Sequence, residues 1–170
     1  MHSEDAVVET PVNPKTKSPL ERLRELGIDL PGFNPAAANY VPVTRRGELL
    51  YTAGQTPKKE GALVYKGKLG DNISDQEGYD AVMLCTLNTL TLLDHFADGL
   101  NNIDQILKVT VFLNCTPEYV HHSKVADGAT DLLVSVFGDA GRPARSSVGV
   151  NALPGGAACE VEMIAALKSK

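Results

Sequence analysis

Several things are scarce in this sequence, and each shortage removes a class of function. Lysine and arginine total 16 against 21 aspartates and glutamates, a formal charge of −5. That leaves no surplus of positive charge to neutralise phosphates, the term that supplies nonspecific nucleic-acid affinity, so a dedicated DNA or RNA binder is disfavoured. Cysteine occurs only at Cys85, Cys115 and Cys159, far apart and with no C-x-x-C pair. The odd count and wide spacing suit reduced, mostly buried thiols rather than zinc binding or redox exchange. No run approaches the roughly 18 consecutive apolar residues that cross a bilayer, and no basic segment followed by an apolar one opens the chain. A cytoplasmic protein is expected. Repeats, low-complexity tracts and a glycine-rich phosphate loop are also missing.

What is present is the composition of one globular domain: 170 residues, 43% hydrophobic and 22% charged. A chain of this size suits a single core. Residues 1–17 contain Glu4, Asp5, Glu9, Pro11 and Pro14, which favour neither a transit peptide nor a helix, so a mobile arm is expected. Ser18-Pro19-Leu20-Glu21 reads as a helix start, because the serine caps a free N–H, the proline lacks one and the glutamate reaches back. Gly27 ends that helix. Two prolines and a glycine make residues 31–39 an extended connector. The expected division is an N-terminal extension over 1–39 and an α/β domain over 40–170, the compact fold starting near Tyr40.

Beyond Tyr40, Val41 and Val43 alternate with Pro42 and Thr44, and Arg46-Gly47 separates them from Glu48-Leu49-Leu50-Tyr51-Thr52-Ala53. Two strands joined by a turn follow, with Pro42 restricting the first to an edge or its beginning. A short hairpin is expected from residues 62–65 and 67–69. Ser74 and Glu77 form a second capping box, after which Tyr79, Met83, Leu87, Leu90, Leu93 and Ala97 mark the face of a long helix closed by Asp98-Gly99. Residues 106–113 read as a strand, and a helix bracketed by strands suggests a βαβ unit with parallel pairing. Thr116-Pro117 is expected to start another helix, with Val125, Ala129, Leu132, Leu133 and Val136 on its apolar face and Gly138 and Gly141 at its end. Residues 146–150 and 159–165 flank Leu153-Pro154-Gly155-Gly156, a predicted final hairpin. The layers are therefore a mixed sheet with two long helices on one face. Apolar residues on the opposite sheet face need a cover, which self-association would supply.

Three segments carry a resemblance to a known family: Leu50-Tyr51-Thr52-Ala53-Gly54-Gln55, then Lys108-Val109-Thr110-Val111-Phe112-Leu113, then Pro143-Ala144-Arg145-Ser146-Ser147-Val148 followed by Leu153-Pro154 and Glu160-Val161-Glu162. In order and spacing they resemble the Rid (YjgF-like) reactive-intermediate deaminases over roughly residues 40–167. The resemblance implies a chorismate-mutase-like α/β fold assembled into a homotrimer, sheets inward and helices outside. It also implies hydrolysis of 2-aminoacrylate and related imino acids, released by pyridoxal-phosphate enzymes, to 2-oxo acids and ammonia, with no cofactor in the deaminase itself.

The same resemblance assigns residues. Arg145 matches the family's carboxylate-binding arginine, and its planar fork suits a carboxylate bidentately. Without the family, it reads as an ordinary ion-pairing residue at a strand start. Glu160 matches the acidic residue thought to position or activate the hydrolytic water, with Glu162 the neighbouring alternative. Both also suit a solvent-facing strand side, since Cys159, Val161 and Met163 alternate with them. Tyr40 matches a pocket tyrosine and equally suits a packed core aromatic. Gly54 matches a glycine that lets backbone approach a ligand. Ser147 stands where many members have cysteine, removing a soft nucleophile, although its backbone remains a candidate substrate contact. Asp127 falls near a family asparagine, where a carboxylate would repel a substrate carboxylate.

A turn centred near Gly155 would place Glu160 opposite about Val150, five residues and roughly 16 Å from Arg145. The two are therefore expected to meet only across a subunit boundary. His121 and His122 are adjacent, so on a helix they would diverge by about 100°, and no H-x-x-x-H or neighbouring cysteine completes a metal set. His95 is read as a partner of a helix C-terminus. Two alternatives to the deaminase stay open: a non-catalytic trimer binding small carboxylates, and an endoribonuclease, which the acidic balance disfavours.

Overall fold

The computed structural model describes residues 17–33, 35 and 38–169. The arm expected over residues 1–17 lies outside these, apart from Lys17. The first helix, α1 (Pro19–Glu25), has the expected capping box, with the Ser18 hydroxyl accepting from the Glu21 N–H and the Glu21 carboxylate accepting from the Ser18 N–H. Leu23 is buried in the main core and α1 packs on a later helix, so the core begins well before Tyr40. A seven-residue amphipathic helix gains its stability from that packing, not from its own propensity.

Strands β1 (Val43–Arg46) and β2 (Leu49–Thr52) form an antiparallel hairpin. Pro42 sits immediately before the edge strand, where its missing N–H disturbs no ladder. The short hairpin joins β3 (Lys58–Lys59) to β4 (Ala62–Leu63), earlier than expected. Glu60 and Gly61, both at positive φ, make its turn, and Leu69 instead forms isolated bridges with Ile73 and Cys115. Helix α2 (Asp75–Phe96) starts at the Ser74/Glu77 capping box and buries Ala81, Val82, Cys85, Leu92 and Leu93.

Strand β5 (Ile103–Asn114) is followed by helix α3 (His122–Phe137), strand β6 (Ala144–Val150) and strand β7 (Cys159–Leu167). The chain turns through Thr116–Tyr119 before α3 begins, so that helix starts later than Thr116-Pro117 suggested. Gly138 caps its end at φ 64°.

The five-stranded sheet has the order β1-β2-β7-β5-β6. Two sequence expectations change here. The last two strands do not form a hairpin with each other: β6 pairs parallel to β5, and β7 inserts on the other side of β5, antiparallel to it. The parallel pair belongs to β5-α3-β6, whereas the strands around α2 do not pair with each other. Strands β6 and β7 are neighbours in sequence but not in this sheet, because β5, the longest strand, lies between them and pairs with both.

Cys159, Val161, Met163, Ala165 and Leu167 of β7 are buried, as are Val109, Val111 and Leu113 of β5, all beneath the helix layer. The intervening residues Thr110, Phe112, Glu160, Glu162 and Ile164 are only partly covered, and Tyr51 and Val148 are exposed at 40% and 42%. The fold is a mixed α/β layer pair with two long helices on one sheet face. Among the described residues no helix is long and apolar enough to cross a membrane.

Candidate functional site

Registry decides how the predicted site residues relate. Arg145 pairs with Val109, and Ser147 with Val111, so both belong to the face beneath the helices. Glu160 pairs with Phe112, which in turn pairs with Val148, on the open face. Arg145 is thus three residues along and two strands across from Glu160, a Cα separation of roughly 14 Å at 3.3 Å per residue and 4.8 Å per strand. This replaces the hairpin estimate, in which Glu160 stood opposite Val150. One chain does not bring the two residues together, and the sheet itself lies between their side chains.

The Arg145 half of the site is built by β6 and α3. Arg145 Nη1 donates to Asp127 Oδ1 at 2.7 Å and to Thr130 Oγ1 at 2.9 Å, while Nη2 makes a longer contact of 3.4 Å to the Ser123 carbonyl. Asp127 therefore grips the arginine itself. Among the described residues Nε has no protein partner, so the Nε–Nη2 edge, the side used in a bidentate carboxylate pair, carries only that long contact. Thr130 was not anticipated, although its i,i+3 spacing from Asp127 places both on one helix face and was a usable signal.

The Glu160 half lies in a cavity of ≈ 270 Å³ lined by Tyr40, Pro42, Gly54, Gln55, Asn88 and Glu160 among others. A Cβ at Gly54 would run into the Glu160 carboxylate, which explains the glycine: the β2 exit passes directly over that side chain. Tyr40 is 53% exposed at the cavity, which excludes the core-aromatic reading. The Glu160 carboxyl is pushed above its ordinary value, first by burial and then by the charge of Glu162. No protein donor reaches it among the described residues. Glu162 faces a smaller cavity with Tyr51, Lys108, Thr110 and Ile164. Asn88, also unanticipated, donates to the Thr56 and Lys58 carbonyls at 3.0 Å each and so fixes one wall.

The histidines have separate partners. His121 is the N-cap residue of α3 and contacts Asp75 at 2.8 Å, whereas His122 Nε2 lies 3.6 Å from Cys115 Sγ. A cysteine does therefore neighbour the pair, contrary to the sequence reading, because the turn after β5 folds back. His95 stacks on Phe33 with ring centroids 4.5 Å apart. All three cysteines are unpaired and buried.

Comparison with known proteins agrees with this fold. A family model described as "YjgF/chorismate mutase-like, putative endoribonuclease" matches residues 20–167, a span that includes all of α1 except its first residue. Protein TCP17 of Trypanosoma cruzi is 38% identical over 148 residues, covering 86% of this chain and 92% of that protein. A Shewanella oneidensis protein described as a "putative endoribonuclease" superposes with a TM-score of 0.86 at 37% identity, covering 89% of this chain and all of the other. YyfA of Yersinia pestis, from the conserved Rid protein family and of unknown function, gives a TM-score of 0.57 at 26% identity, over 78% of this chain and 90% of its own. The chain belongs to the YjgF/Rid family.

Proposed function

We propose that this protein is a hydrolytic deaminase of reactive enamine and imine intermediates, converting 2-aminoacrylate-like imino acids to 2-oxo acids and ammonia in the cytoplasm. The observation that carries this reading is the complementarity of two half-sites. One presents an arginine edge suited to a carboxylate, and the other a half-buried carboxyl in a cavity that no protein donor reaches among the described residues. In a homotrimer that covers the open sheet face and also wraps the free edge of β6, where Arg145 sits, Arg145 of one subunit and Glu160 of the next would flank one small substrate.

Arg145 holds the substrate carboxylate through Nε and Nη2, and Asp127 and Thr130 hold Arg145. Water oriented by Glu160 adds to the imine carbon, the glutamate taking one water proton and passing it to the imine nitrogen to complete the carbinolamine; the hydroxyl proton then moves through Glu160 to that nitrogen as the C–N bond breaks, leaving the 2-oxo acid and ammonia. A carboxyl with a raised pKa serves both transfers better than an ordinary surface glutamate. Tyr40 and Gly54 shape the pocket, and Ser147 shares the Arg145 face. No cofactor enters, and positioning supplies much of the rate gain because the imine is already electrophilic.

One observation favours a second reading, a trimer that binds small carboxylates without turnover: the Asp127 ion pair offsets the positive charge that would draw an anion to Arg145. Generating 2-aminoacrylate or a longer imino acid in situ with a dehydratase or an amino-acid oxidase separates the two. The deaminase accelerates 2-oxo acid formation. Carboxylate binding without acceleration on any imino acid supports the binding protein.

A further inference from the structure

Beyond the end of β5 the chain builds a second constellation, separate from the Arg145 and Glu160 half-sites. Cys115 follows the strand, the turn through Tyr119 reverses direction, and His122 opens α3 with Nε2 3.6 Å from Cys115 Sγ. Both residues line a cavity of ≈ 350 Å³ with Thr116, Tyr119, Gly149 and Asn151. A Cβ at Gly149 would lie 2.7 Å from Cys115 Sγ and 2.7 Å from His122 Nε2, so β6 can pass beside the pair only because that position carries no side chain. The Tyr119 ring packs edge-on against His122 with centroids 5.3 Å apart and limits its rotation. Lys68 donates to Asn114 Oδ1 at 2.8 Å and to the Asn151 carbonyl, and its charge favours a thiolate at Cys115.

A buried cysteine against an imidazole is often only packing. Here the contrast lies within the chain: Cys85 and Cys159 are fully buried against each other at 3.4 Å, with no histidine contact among the described residues, whereas Cys115 has a base within reach and an open cavity beside it. That volume lies at the small end of ligand pockets.

We infer that Cys115 and His122 form a nucleophilic thiol site that captures small soft electrophiles of the α,β-unsaturated carbonyl class. His122 Nε2 takes the Sγ proton as sulfur bonds to the β-carbon of the alkene. The π pair moves toward the carbonyl as an enolate, whose α-carbon receives the proton back from His122. The thiol adds across the double bond, nothing leaves, and no oxidant is consumed. Burial pushes the Cys115 thiol up, partly opposed by Lys68, so the sulfur waits as a thiol until His122 draws off its proton. Asn151 and Thr116 supply polar groups beside the bound carbonyl.

Acrylamide is a sufficient probe, with adducts counted by intact mass and mapped on peptides. The folded full-length protein gains one adduct, on Cys115, while Cys85 and Cys159 react only after denaturation. Cys115→Ser gains none, and His122→Gln slows labelling about tenfold or more. If Cys115 in the folded protein reacts no faster than Cys85 and Cys159, or if a folded His122→Gln reacts at the parent rate, the inference fails. Should His122→Gln unfold, seen as labelling of the two buried cysteines, Gly149→Ala decides: pushing the pair apart slows the reaction if the site is real, and an unchanged rate overturns it.

Discussion

Glu160 occupies a place where a carboxylate is costly, half-buried beside Glu162 and over Gly54 with no protein donor among the described residues. Its folded pKa lies above that of the unfolded chain, so the native state holds the proton to higher pH. The resulting contribution to stability is complete below the ordinary glutamate value and is lost as pH rises through the folded value. Glu160→Gln removes that loss. Thermal unfolding of the variant should show a gain over the parent at neutral pH that disappears in acid. The same change keeps the shape of the side chain and deletes its basicity, so carboxylate affinity measured by calorimetry should persist while imine hydrolysis falls by about 10² to 10⁴-fold. A reaction that is fast in water will sit at the low end of that range. Equal turnover by parent and variant would move the role to Glu162.

At the scale of elements, α1 is the informative case. Leu23→Ala should cost about 2 to 5 kcal/mol in chemical denaturation, the ordinary price of removing a fully packed leucine, and a negligible change would return α1 to a detachable extension. Both capping boxes were legible in the sequence because a cap is a local contract between residues three apart. The apolar stripe of α3 was legible for the same reason, whereas on α2 the buried face runs through Ala81, Val82, Cys85, Leu92 and Leu93, and the expected Tyr79, Met83 and Leu87 are only partly covered. The β6–β7 relation was not: Pro154-Gly155-Gly156 does make a tight turn, but pairing partners are chosen by β5, and nothing near the turn encodes that. The Arg145 and Glu160 identities came from motif resemblance, whereas their placement on opposite faces required the register. Thr130 had a helical-spacing signal, but Asn88 and the Cys115–His122 contact depend on tertiary folding, which no short window reports.

At the scale of the whole molecule, the open sheet face asks for a partner. Tyr51, Phe112, Val148 and Ile164 line it, interspersed with Lys108, Thr110, Glu160 and Glu162, and this mixture suits an assembled interface better than permanent exposure. Light scattering at micromolar concentration should give three times the 18.1 kDa chain mass, and a stable monomer would remove both the cover and the shared site. Separation of Arg145 and Glu160 by the sheet makes a sharper test available. Under the proposed roles Arg145→Lys loses bidentate pairing and Glu160→Gln loses the base, so homotrimers of either variant should hydrolyse imines poorly. Unfolding the two together and refolding them as mixed trimers places an intact arginine from one chain beside an intact glutamate from another. The mixture should regain a substantial part of the parent activity in the coupled 2-oxo acid assay. Mixed trimers no more active than the separate variants would contradict a site shared between subunits.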